Sequence, residues 1–138
     1  MQIGTKITLK FNLIVSIILV ALAVSIYFFF SSYRENEFYA RLNNTHENAA
    51  EYIFVDFFAT WCGPCKQIAP LLEKYSKKYT NVLFLKVDVD QLDSLAELYQ
   101  VTAMPTFMMF EKGYTVPYLT IVGANKLKIE SALEDTMH

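Results

Sequence analysis

Apolar positions fall in two patterns along this chain. From Phe11 to Phe30 they form a run with no charged residue, broken only by Asn12, Ser16, Ser25 and the hydroxyl of Tyr27. As a helix rising about 1.5 Å per residue, that run spans a hydrocarbon core of roughly 30 Å. From about Asn36 the pattern becomes that of a soluble domain. Glu37 to Asn43 offers Phe38 and Leu42 at i, i+4 spacing, as a short helix would. Tyr52 to Phe58 is short, β-branched and aromatic, and reads as a buried strand. Cys65 to Tyr79 predicts a helix with Ile68, Leu71, Leu72, Tyr75 and Tyr79 on one face. Val82 to Val89 predicts a second strand, and Asp93 to Gln100 a short helix presenting Leu95, Leu98 and Tyr99. Thr106 to Phe110 predicts a third strand and Val116 to Val122 a fourth. Pro117 cannot donate a ladder hydrogen bond, so the fourth belongs at an edge. Asn125 caps a final helix running to about Asp135 and burying Leu127, Ile129 and Leu133. Strands alternating with helices imply an α/β sandwich.

The apolar run has three readings. The preferred one is a signal anchor that stays in the membrane, giving residues 1–30 as a transmembrane segment and 31–138 as the domain. The second is a cleaved signal peptide, with Phe11 to Val20 as its apolar core and Ala21-Leu22-Ala23 as a small-x-small cleavage site. The third, a buried element of the soluble fold, has least weight, because the later strands and helices already supply a core. Lys6 and Lys10 precede the run, while Arg34, Glu35 and Glu37 follow it. By the positive-inside tendency the N-terminus faces the cytosol and the domain lies across the membrane. Asn43-Asn44-Thr45 is a glycosylation acceptor sequence of a kind that chance often supplies. The lack of acid before Glu35 also fits a mitochondrial presequence, although the lack of arginine there argues against one.

Composition narrows the function. Over half of the 138 residues are apolar, enough for a core, and the formal charge of -2 removes nucleic acid as an expected partner. There are two cysteines, and they lie close together in Trp61-Cys62-Gly63-Pro64-Cys65-Lys66. Zinc needs four ligands, but no second cysteine pair exists, and His46 and His138 have no ligand spacing to each other, so no metal is expected. A c-type haem site needs histidine where Lys66 stands. Redox chemistry remains. Cys62 falls where a strand and loop give way to a helix. Unpaired N–H groups and the helix dipole favour a thiolate there, and the thiolate is the attacking species. Gly63-Pro64 makes the turn at no cost in helical hydrogen bonds. Cys65, one turn along, is in reach of Cys62.

Two further features bear on that chemistry. Asp56 interrupts an apolar strand six residues before Cys62. Burial there raises a carboxyl pKa and suits it to exchange protons with Cys65, through a water. The plainer reading, a buried acid satisfied by hydroxyls or by Lys86, is compatible with this. Met104-Pro105 precedes a strand, and sequence alone favours a trans bond there.

The segment Val55-Asp56-Phe57-Phe58-Ala59-Thr60-Trp61-Cys62-Gly63-Pro64-Cys65-Lys66 resembles the active-site strand and turn of the thioredoxin family. Phe84 to Asp90, Ala103-Met104-Pro105-Thr106-Phe107 and Val122-Gly123-Ala124-Asn125 follow in that family's order and spacing. The wording is most similar to eukaryotic thioredoxins, particularly fungal ones, and the resemblance is strong over residues 52–133. It implies a thioredoxin fold, a central mixed sheet flanked by helices, here preceded by one hydrophobic helix. It implies Cys62 as nucleophile, Cys65 as resolving thiol, Asp56 as buried acid with Lys86 near it, and Pro105 in the cis form. Trp61, Met104, Pro105, Gly123 and Ala124 are implied as the face that holds substrate, with Gly63, Pro64 and Lys66 supporting the turn. Pro70 matches a proline that kinks the active-site helix. No bound cofactor is implied; electrons come from NADPH through a thioredoxin reductase, and the partners are disulfide-containing proteins.

The N-terminus departs from that pattern. The family begins with a strand, which here falls on Phe28 to Ser32, inside the apolar run. If it is missing, the Val82–Val89 strand is left as an exposed edge. Non-catalytic binding, and oxidation or isomerisation in an oxidising lumen, are the competing functions. The intact cysteine pair and Gly63-Pro64 favour a reductase.

Overall fold

The computed structural model describes residues 3–43 and 50–138, and their side chains except at 3–11, 31 and 41–43. The side chains of Lys6, Lys10 and Leu42, the Asn43-Asn44-Thr45 triplet and His46 lie outside that description. The order is α1 (Ile3–Asn43), β1 (Tyr52–Phe58), α2 (Gly63–Lys78), β2 (Val82–Asp88), α3 (Asp93–Leu98), β3 (Thr106–Glu111), β4 (Leu119–Val122) and α4 (Lys126–Glu134), closed by a short 3-10 turn over Asp135–Met137. The chain divides into two units, residues 1–34 and 35–138.

The first unit is helical, and Asn12–Ala40 is long and apolar enough to cross a membrane. Its described large apolar side chains, Leu13, Ile17, Leu19 and Phe29 among them, are exposed. Phe28 to Ser32 is helix, not strand, and the helix runs on through Glu37 to Asn43 without a break. The reason is local: no glycine or proline interrupts residues 28–43, and nothing there competes with the helical ladder.

The second unit is built on a sheet of order β2-β1-β3-β4. β1 pairs parallel with β2 and antiparallel with β3, and β3 pairs antiparallel with β4, so the sheet is mixed. No strand precedes β1 among the described residues, and β2 is therefore an edge. Alternation along β1 sends Phe54 and Asp56 to one face and Ile53, Val55 and Phe57 to the other. Phe54 packs with Ile68, Leu72 and Tyr75 of α2 and with Ile129 and Leu133 of α4. Ile53, Val55 and Phe57 pack with Leu95 of α3, Phe110 of β3 and Phe38 of α1. Burial on both faces explains why β1 carries an apolar run rather than an alternating one.

Two expected core residues lie outside the core. Leu127 is 80% exposed, and α4 buries Ala132 beside Ile129 and Leu133 instead. Two helical residues subtend about 200°, so a helix cannot bury both Leu127 and Ile129 against one sheet. Leu98 likewise faces out, and α3 buries Leu95 with Ala96. β4 begins at Leu119 rather than Val116. It is still an edge, with Pro117 in the connection where no N–H is needed.

Candidate active site

β1 ends at Phe58, and the backbone turns so that the Cys62 N–H donates to the Ala59 carbonyl at 3.1 Å. Cys62 is the N-cap of α2. Its sulfur accepts the Cys65 N–H at 3.2 Å, the position that a cap oxygen fills elsewhere. Cys62 and Cys65 are joined as a disulfide, with S–S 2.04 Å and Cα atoms 5.3 Å apart. Gly63 and Pro64 form the exposed first turn of α2, with Pro64 placed where its missing N–H costs nothing. Both sulfur-bearing residues are buried in a small cluster with Ala59, against which Phe58 and Met104 pack. No group of residues suited to hold a metal ion occurs among the described residues.

The other expected site residues fall into two sets around the sulfurs. On the outer side, Trp61 is 65% exposed and its Nε1–H donates to Asp90 Oδ2 at 2.9 Å. Met104-Pro105 is a cis peptide bond. The Gly123 N–H donates to the Pro105 carbonyl at 2.8 Å, which fixes β4's end beside the proline. Gly123 sits at φ +85°, a conformation that favours glycine. Ala124 follows it, exposed. Asp90 was not anticipated as a site residue. Its only mark in the sequence is an acid just past a strand end, 29 positions from the indole it binds.

On the inner side, Asp56 is buried on the face of β1 that packs against α2. Its Oδ1 has no hydrogen-bond partner among the described residues. Burial raises its pKa to about 6, and the charge of Lys86, its cross-strand neighbour, opposes that rise. The Lys86 ammonium lies over the Phe58 ring, 4.4 Å from its centre. Asp56, Cys65, Lys66 and Lys86 line one cavity of about 250 Å³, open to solvent. That volume has room for several waters between the Asp56 carboxyl and Cys65.

A cysteine pair at a helix start, with Met104 of the cis Met104-Pro105 bond packed against it and a buried acid on the same cavity as Cys65, is equipped for dithiol–disulfide exchange. The sequence model of the family described as Thioredoxin matches residues 30–135. The chain belongs to the thioredoxin family, and it is a thiol–disulfide oxidoreductase. Thioredoxin-1 of Saccharomyces cerevisiae is 48% identical over 81 residues, covering 59% of this chain and 77% of that protein. Human thioredoxin is 48% identical over 83 residues, covering 60% of this chain and 77% of its own. The likeness is thus to eukaryotic thioredoxins broadly, fungal ones among them. The crystal structure of oxidised mitochondrial Thioredoxin 3 from Saccharomyces cerevisiae superposes with a TM-score of 0.64 at 37% identity, over 72% of this chain and 88% of that one.

Proposed function

We propose that this chain is a membrane-tethered protein-disulfide reductase, with residues 1–30 as a signal anchor and 31–138 as a thioredoxin domain on the non-cytosolic side. The observation that carries the chemistry is the Cys62–Cys65 disulfide at the head of α2, with Asp56 and Cys65 on one cavity. Reduced by a thioredoxin reductase at the expense of NADPH, the pair becomes a dithiol. The Cys62 thiolate attacks a substrate disulfide, forms a mixed disulfide and expels one substrate thiolate. Cys65 then attacks Cys62, which releases the second thiolate and restores the Cys62–Cys65 bond. Each cycle moves two electrons to the substrate.

Cys65 must lose its proton to attack. With a pKa of about 6, Asp56 is ionised at neutral pH and is a base for that proton, through water in the cavity. Lys86 holds Asp56's pKa below where burial alone would set it, and Lys66 borders the same water. Trp61, Met104, Pro105, Gly123 and Ala124 receive the substrate backbone beside the sulfurs. Turnover of a protein disulfide with reductase and NADPH tests the reading. Inactivity of the wild type, or full activity in Cys62→Ser, overturns it. The apolar, unburied helix from Asn12 supports the tether, and protease protection of intact membranes tests the side on which the domain lies.

A further inference from the structure

The domain has two ends, and the chain enters at the one that carries the sulfurs. β1 and β2 run parallel, so Phe58 and Asp88 finish side by side, and the Val89 N–H donates to the Phe58 carbonyl at 2.9 Å. Beyond them Trp61 bonds Asp90, and the Leu92 N–H donates to the Asp88 carbonyl. α3 starts at the next residue, and the Ser94 hydroxyl in its first turn donates to Glu35 Oε1. Cys62, Asp90, Ser94 and Glu35 therefore belong to one end. The opposite end is closed by Glu51, Asn81, Lys112 and Thr136. There the Glu51 N–H donates to the Asn81 carbonyl at 3.0 Å, and Lys112 N–H to the Glu51 carbonyl at 2.9 Å. The Asn81 amide reaches the Thr136 carbonyl at 2.8 Å.

The entry point is fixed, not loose. One turn after Glu35, Phe38 is buried against the second core cluster, its ring centre 6.2 Å from that of Tyr99. Residues 31–34 alone separate Phe30, the end of the apolar run, from Glu35. Whatever their conformation, they reach no further than about 18 Å.

We infer that this enzyme's substrates are disulfides close to a bilayer surface, in the membrane-proximal parts of other membrane proteins. The inference rests on the anchored reading above and adds a height restriction to it. A chain fixed to a membrane at Phe30, and entering its domain at the sulfur end, holds Cys62 within about one domain width of the lipid. Disulfides far above the surface are out of its reach, even though the exchange step is the same: two electrons pass from the Cys62/Cys65 dithiol to the substrate disulfide, and both substrate sulfurs leave as thiols.

The test uses the full chain, pre-reduced and reconstituted in phosphatidylcholine liposomes with a single-span reporter. The reporter's disulfide loop stands either at the membrane surface or on a rigid helical stalk about 80 Å tall, beyond domain width and tether combined. Reduction of the low loop is expected to be at least tenfold faster. A helical insert of about 50 residues between Arg34 and Glu35, adding roughly 75 Å, is expected to reverse that preference. Both forms should reduce a small soluble disulfide at the same rate. Equal rates on the low and tall reporters, by a chain that floats with the liposomes, overturn the height restriction alone. A chain that does not float overturns the anchor, and this inference with it.

Discussion

The two units of this chain hold large apolar side chains in opposite states. In α1, Phe28 and Phe29 stand open, at 66% and 69% exposure, while Phe54, Phe57 and Phe110 of the sheet have none. Both sets come from similar residues, so hydrophobicity alone does not distinguish them. The difference lies in patterning. The first run is continuous and long. The second comes in short strands and one-faced helices that close on each other. In the first set Phe28 meets Tyr27 and Phe29 meets Phe30, edge-on contacts between sequence neighbours that leave the rings exposed. The other fulfils its packing internally and, in doing so, builds the place where Cys62 sits. Burial in the domain should therefore set stability and chemistry, and the apolar helix should set location.

That division is open to direct attack, and the largest effects are all-or-none. Deleting residues 1–34 should move the protein wholly from the membrane pellet to the supernatant on flotation, with the rate on a soluble disulfide within about twofold of the full chain's. Cys62→Ser should do the reverse: it stays with the membrane and loses at least about a thousandfold in disulfide reduction, because the sulfur that makes the first bond to substrate is gone. The next effect is on folding. Phe110→Ala should cost about 3–5 kcal/mol in denaturant unfolding of the domain, whereas Phe28→Ala should change the same measurement by less than about 0.5 kcal/mol. A substantial loss from Phe28→Ala would contradict that division.

Asp56 gives a pH-dependent effect. Its folded pKa, about 6, lies above the ordinary 3.8 because burial penalises the charged form. The sign follows from linkage. Below about pH 4 the group is neutral folded or unfolded and costs nothing. Between about pH 4 and 6 the unfolded state is ionised while the folded state keeps its proton, and stability is lost. Above that the penalty is constant, about 3 kcal/mol. Asp56→Asn should thus raise domain stability by about that much at pH 8 and hardly at all at pH 4, in paired urea melts. The same variant should slow release of the mixed disulfide at neutral pH, since the base for Cys65 is gone. A smaller change falls at α4, where Asn125 Oδ1 accepts the Lys128 N–H at 3.1 Å. Asn125→Ala should cost about 1 kcal/mol.

Several elements were legible in the sequence because one physical rule fixes each. β1 was readable to the residue, since Tyr52 to Phe58 is a short β-branched and aromatic run standing between Glu51 and Ala59-Thr60. The α4 start followed from Asn125, whereas α2 begins at Gly63, two residues before the Cys65 read from the sequence, because Gly63-Pro64 forms its first turn rather than a turn ahead of it. The cysteine pair announced its chemistry because two sulfurs one helical turn apart can bond. Other features were hidden for equally definite reasons. Leu127 and Leu98 are apolar, and only the direction each helix turns toward the sheet shows that they face out. Val116 and Pro117 look like strand, but the ladder with β3 starts only at Leu119, after the turn has spent those residues. Phe28 to Ser32 suits strand or helix by composition, and helical continuity with both flanks decides it. The Trp61–Asp90 bond depends on two loops brought together from distant positions, which periodicity does not encode.

The central claim is that Cys62 makes the first bond to substrate and Cys65 breaks it. Cys65→Ser, reduced and mixed with a disulfide-bonded protein, tests it by peptide mapping of the trapped product. The account predicts a stable adduct on Cys62, and little or no adduct when Cys62→Ser is treated alike. Equal capture by Cys65 in that second variant, or no adduct from the first, would contradict it.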